Sequence, residues 1–64
     1  MNNEKVLTVK EAFDLAVQNQ QNNNLQDAQN YYQEVLKLDP NYDLAHYNLG
    51  VMFQNLEENQ KAKD

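Results

Sequence analysis

The sequence predicts an all-α fold: antiparallel helix-turn-helix repeats stacked as a short α-solenoid of three helices. Three observations predict it. First, a block of residues recurs 34 positions later: Leu15, Ala16, Val17, Gln20, Gln26 and Ala28 return as Leu49, Gly50, Val51, Gln54, Gln60 and Ala62. A period near 34 suits a helix pair that stacks on copies of itself, and such pairs build binding surfaces rather than catalytic centres. Second, apolar residues recur at helical spacing in three stretches. Third, turn-forming residues separate these stretches, as the asparagine run Asn22–Asn24 and as Asp39-Pro40-Asn41.

The first helix is predicted over residues 9–22. Thr8-Val9-Lys10-Glu11 reads as a capping box, in which Thr8 accepts from the backbone at Glu11 and Glu11 reaches back to Thr8. Leu7 then holds the staple position, facing Ala12. Val9, Ala12, Phe13 and Ala16 fall at i, i+3, i+4 and i+7, one apolar stripe. The asparagines end the helix, because Asn tolerates the left-handed conformation found there.

The second helix starts at Leu25 or Gln26, with Leu25, Ala28, Tyr32, Val35 and Leu36 on its stripe. Pro40 disfavours helical geometry at Asp39, so this helix stops near Leu38. The link to the third helix is short, so the two must pack together. Asn41 is a candidate N-cap for the third helix, predicted over residues 42–56 with Ala45, Leu49, Met52, Phe53 and Leu56 on one face. Gly50, the only glycine, lies inside it. A mid-helix glycine costs ~1 kcal/mol relative to alanine. Close approach of a neighbouring helix is the expected compensation. Beyond Leu56 the sequence leaves two outcomes. Glu57-Glu58 stands where the first repeat has Asn23-Asn24, and glutamate does not favour a left-handed turn. Either a turn forms and 59–64 begin a fourth helix, or the third helix runs on.

Composition narrows the function. The chain has 64 residues, one domain at most, and buries only ~60% of the surface its unfolded form exposes. Without cysteine it has no disulfide and no thiolate metal site. Its net charge is −5, with no arginine and five scattered lysines. Nucleic acid needs clustered cations, so it is excluded as a partner, and acidic membrane surfaces are disfavoured likewise. No apolar run approaches the ~18 residues of a membrane span. The start of the chain does not read as a signal peptide, so a soluble, cytoplasmic protein is expected. The run Gln18–Asn24 reads as the end of a helix rather than as low-complexity sequence.

Chemistry finds little to work with. There is one histidine, no serine, no glycine-rich phosphate loop, and no His or Cys pairing with metal-ligand spacing. His46 has no nucleophile or acid at a helpful spacing, and Asp43 three residues before it is a surface partner. Glu57-Glu58 reads as a solvated pair. Tyr32 belongs to the core stripe, and Tyr31 should be half-buried with a wet hydroxyl. No enzymatic activity, no cofactor and no metal are expected.

These residues resemble the tetratricopeptide repeat family, which repeats a pair of antiparallel helices every 34 residues. Taking Pro40 as the proline near a unit's end, residues 9–42 form one complete repeat after an N-terminal lead-in of 1–8, and 43–64 form a partial second. The small positions are then Ala16 and Ala28, and the large ones Phe13, Leu15, Tyr32, Leu36 and Leu38. Leu38-Asp39-Pro40-Asn41 looks like the family's characteristic ending. The next unit opens with His46-Tyr47-Asn48-Leu49-Gly50 and continues to Phe53 and Ala62. Ala12 and His46 stand where tryptophan is common, and Asn23 and Glu57 replace the usual turn glycine.

The resemblance implies protein–protein interaction, as a scaffold or adaptor segment. In the family, the first helix of each unit lines a concave groove for an extended peptide or partner helix. Carried over, the groove takes Lys10, Phe13, Val17 and Gln20 from the first unit and Leu44, Tyr47, Asn48, Val51 and Gln54 from the second. This mix suits a neutral or weakly apolar protein segment. Some members clamp the terminal carboxylate of a chaperone tail. Here Phe13 and Val17 occupy matching positions and only Asn48 fits, so no such clamp is expected. One unit cannot bury its own apolar face, and about three are needed for stability. The chain is therefore expected to be an excerpt of a longer solenoid, or to self-associate. The alternative function is a homodimer formed through Leu49, Met52, Phe53 and Leu56 on the uncovered face of the third helix.

Overall fold

The computed structural model describes residues 7–63. They form three helices, α1 (Val9–Gln21), α2 (Leu25–Leu38) and α3 (Asp43–Lys63), with no strand among the described residues. This is an all-α helical repeat. Residues 1–6 of the lead-in, and the side chain of the repeat position Ala62, lie outside the described set.

Local sequence starts and stops α1. The Glu11 N–H donates to Thr8 Oγ1 at 3.1 Å, and the Thr8 N–H donates to Glu11 Oε1 at 3.0 Å. Two of the helix's orphan donors are thereby satisfied, closing the capping box. At the other end Asn23 takes a φ of 64°, the left-handed conformation that asparagine tolerates. The Asn24 N–H then returns to the Asn19 carbonyl at 2.8 Å, turning the chain into α2. Asn24 caps α2 without a side-chain hydrogen bond. Asp39 is extended, as the following proline requires, and ends α2 at Leu38.

The core runs through all three helices. Ala12 and Ala16 of α1, Ala28, Tyr32 and Val35 of α2, and Ala45, Leu49 and Met52 of α3 make one buried cluster. The three alanines of α1 and α2 have no exposed surface, so the two backbones approach closely where they meet. Tyr32, Met52 and Val35 are the largest fully buried side chains. Burying a side chain of this kind contributes about 1.5–3 kcal/mol each. α2 sits centrally and packs against both α1 and α3. Leu7, Val9, Leu25, Tyr31 and Leu36 close the edges of the cluster, half-buried.

Four details differ from the sequence reading, each for a local reason. α3 does not stop at 56: it continues unbroken to Lys63, so among the described residues there is no fourth helix. Glu57 and Glu58 are strong helix formers, and nothing there favours positive φ. Gly50 consequently has no close neighbour. A Cβ built on it would meet nothing within 4 Å beyond its own stretch of helix, because no helix among the described residues returns across that side of α3. Asn41 is not the N-cap of α3. Its N–H instead donates to Asp39 Oδ1 at 3.1 Å, and the Tyr42 carbonyl accepts from Ala45 at 3.1 Å and from His46 at 3.3 Å. Finally, Leu38 is 43% exposed at the end of α2.

Candidate functional site

Phe13 of α1, Tyr32 of α2 and Tyr42, just before α3, form an aromatic cluster. Phe13 is half-buried, its ring centroid 5.9 Å from that of Tyr32 and 5.2 Å from that of Tyr42. The interplanar angle of 64° sets Phe13 and Tyr32 edge to face, the arrangement the aromatic quadrupole favours, while Phe13 and Tyr42 are tilted at 44°. Val17 continues this side one turn on and is also half-buried against the core. Lys10 begins the row but is exposed, and its Nζ lies 3.3 Å from Asp14 Oδ2. Such exposed i,i+4 pairs contribute little to stability.

Tyr32 joins the row to α3. Its ring is fully buried, and its hydroxyl donates to Gln20 Oε1 on α1 while accepting from Asn48 Nδ2 on α3 at 3.1 Å. One phenol oxygen therefore links all three helices. Desolvation by burial raises the Tyr32 pKa above its ordinary value of 10.0, opposed in part by the hydrogen bond from Asn48. The hydroxyl stays protonated at neutral pH and fixes both amides. With Gln20 Oε1 and Asn48 Nδ2 engaged, the Gln20 amide NH₂ and the Asn48 carbonyl are the groups left to serve a partner. Among the described residues no buried side-chain polar atom lacks a hydrogen bond.

The remaining groove residues stand around α3. Val51 is half-buried, Gln54 is exposed, Leu44 is 56% exposed and Tyr47 is 68% exposed. Gln20 and Asn48 are thus brought together through Tyr32, and Phe13 and Val17 sit beside them. Lys10 lies at the opposite end of α1 from Gln20. Tyr47 and Gln54, seven residues apart, share a more outward face of α3. Of the residues expected on an uncovered face, Leu49 is 9% and Met52 1% exposed, both in the core beneath α2. Phe53 is 48% exposed and Leu56 is half-buried.

Two groups have roles the sequence did not indicate. His46 Nε2–H donates to the Pro40 carbonyl at 2.9 Å, pinning the α2–α3 link onto α3. Tyr32 was legible as a core residue, but its bridging hydroxyl was not. The available signal was tyrosine in place of phenylalanine on a core stripe, since a buried phenol demands a partner. A cleft of about 370 Å³ also opens where the α1–α2 turn faces the second half of α3, lined by Gln20, Asn23, Leu25, Met52, Asn55 and Glu58. Among the described residues no group of three or more His, Asp or Glu side chains is placed to hold a metal ion. None of their helices is long and apolar enough to cross a membrane.

Comparison with known proteins agrees with this architecture. A family model described as TPR repeat matches residues 20–56, from the end of α1 to the middle of α3. No curated protein and no solved structure matches the chain. The TPR family generally mediates protein–protein interaction and binds protein partners. A match over more than half the sequence, on a stack of antiparallel helices with alanines at the crossings, makes this chain a member of the tetratricopeptide repeat family.

Proposed function

We propose that the chain is a protein-interaction segment of scaffold or adaptor type, non-catalytic, presenting a shallow groove between α1 and α3. Residues 9–42 serve as the complete repeat and 43–64 as a partial second. The occupant is a neutral or weakly apolar peptide or partner helix. The observation that carries this reading is the link from Gln20 through Tyr32 to Asn48. It orders two amides, of which Asn48 lies one helical turn from exposed Leu44, so a partner meets fixed polar groups beside apolar area. Such pairing of buried aromatic area with oriented hydrogen-bond groups is how interfaces gain both affinity and specificity.

Selection of a random peptide library on the purified chain tests the groove. Enriched peptides should shift the amide NMR signals of Phe13, Val17, Asn48 and Val51. Tyr47→Ala and Val51→Ala should each weaken them about tenfold or more, roughly 1.4 kcal/mol, with helicity unchanged. Peptides that bind both variants as tightly as the parent chain would sink the groove. A second reading, self-association through α3, is favoured by half-exposed Phe53 standing next to open Gly50.

A further inference from the structure

We propose that the stripe His46, Gly50, Phe53, Glu57 on α3 pairs antiparallel with the same stripe of a second copy of this chain. The proposal rests on the self-association reading and gives it a face and a register.

The spacing of these four residues, four then three then four, keeps them on one side of a helix. Their counterparts 34 residues earlier are Ala12, Ala16, Asn19 and Asn23. Ala12 and Ala16 have no exposed surface, because α2 covers that side of α1. On α3 no helix among the described residues lies across the same side. His46, Gly50 and Glu57 are exposed, Phe53 is 48% exposed, and nothing lies within 4 Å of a Cβ placed on Gly50. The fold thus leaves on α3 a face that it covers with a helix on α1.

The stripe is complementary to itself. A two-fold axis passing between Val51 and Met52 sets Phe53 of each copy opposite Gly50 of the other, a ring against a helix surface without a side chain. The same axis sets His46 opposite Glu57, and Asp43 opposite Gln60. The first is an imidazole facing a carboxylate. The second is an amide facing a carboxylate. Every pair occurs twice, as a two-fold interface requires. Sliding the register by three residues puts Phe53 against itself and His46 against Gln60, and both complementarities vanish. His46 is already anchored through Nε2 to the Pro40 carbonyl, so its ring is presented without further ordering. The stripe spans about 17 Å of helix, at 1.5 Å per residue. That is short of the ~800 Å² per partner typical of stable complexes, so the dimer is weak.

Sedimentation equilibrium from about ten micromolar to about one millimolar should show a monomer–dimer equilibrium. Phe53→Glu should raise the dimer Kd about tenfold or more with unchanged circular dichroism. Glu57→Lys should also raise it, and His46→Glu with Glu57→Lys should return it toward the parent value. The chain has no cysteine, so Gln60→Cys gives a unique spin-label site. Its inter-copy backbone separation should be about 25–30 Å, from the helical rise and the usual interaxial distance. A monomer at every concentration overturns both this pairing and self-association. A dimer insensitive to Phe53→Glu, or with Gln60 labels at another separation, overturns this pairing and leaves self-association standing. A monomer whose Phe53 signals shift with an added peptide of the Leu25–Leu38 sequence points instead to a helical partner and likewise overturns the second copy.

Discussion

Gly50→Ala should stabilise the monomer, against the usual rule that a mid-helix glycine is there because something needs the space. The residue sits in the interior of α3, is exposed, and has no atom within 4 Å of where a Cβ would stand. No steric cost therefore opposes the gain in helix propensity. That gain is about 0.8–1.0 kcal/mol for glycine to alanine in a helix interior. In a domain of this size, 1 kcal/mol moves the melting temperature by roughly 4–8 °C. Thermal melting followed by circular dichroism measures it, at low micromolar concentration so that copies stay apart. An unchanged or lowered melting temperature would refute the reasoning. It would mean that a helix returns across Gly50 and that α3 does not run straight through Glu57. The same variant narrows the notch opposite Phe53, so its dimer should weaken while its monomer strengthens. Concentration separates the two effects.

Two further perturbations probe the core. Tyr32→Phe keeps the ring against Phe13 but removes the hydroxyl that joins Gln20 and Asn48. Two hydrogen bonds at about 0.5–1.5 kcal/mol each give a loss of roughly 1–3 kcal/mol, read by urea titration. The variant should also flatten alkaline destabilisation. The Tyr32 pKa is raised on folding, so its contribution is fully present below the unfolded value near 10.0 and is lost as pH rises through the folded value. Melting between about pH 9 and pH 11 should fall less steeply for the variant than for the parent; parallel curves would show that burial of this phenol does not matter. Ala28→Leu inserts a large side chain where α2 crosses α1 with no free surface, and overpacking of this kind costs about 1–3 kcal/mol. An unaltered melting temperature would mean that these helices do not nest at Ala28.

What the sequence revealed and what it hid divide along a physical line. Short-range rules carried the start and stop of α1 and the stop of α2. Thr8 with Glu11 closes a box within four residues, Asn23 supplies the left-handed turn, and Pro40 constrains Asp39. The small residues at the helix crossings were legible because periodicity and size both marked them. Gly50 was not, since periodicity equates it with buried Ala16 while only three dimensions show whether a helix lies across it. The fate of Glu57 was open for a related reason. Glutamate permits a continued helix and only disfavours a turn, so the outcome depends on packing further along. Leu49 and Met52 look from sequence like an outward stripe, yet α2 covers them, which leaves Phe53 as the exposed large member. The Tyr32 bridge joins residues on three helices, separated by 12 and 16 positions, and no local pattern signals that.

The bridge also decides which mutations can speak about binding at all. Gln20 and Asn48 lie on the groove but hold the buried Tyr32 hydroxyl, so changing either disturbs the core and the surface together. Phe13 is compromised in the same way by its contacts with Tyr32 and Tyr42. Loss of a partner in those variants would follow from loosened packing as readily as from a lost contact. Leu44, Tyr47 and Gln54 are exposed, and no side-chain hydrogen bond links them to the core. Surface changes away from special features usually alter stability by no more than about 0.5 kcal/mol. A partner lost on changing these three, in a chain that melts as before, can only have been touching the groove. A partner lost solely on changing Gln20, Asn48 or Phe13 recognises instead the way the three helices are held.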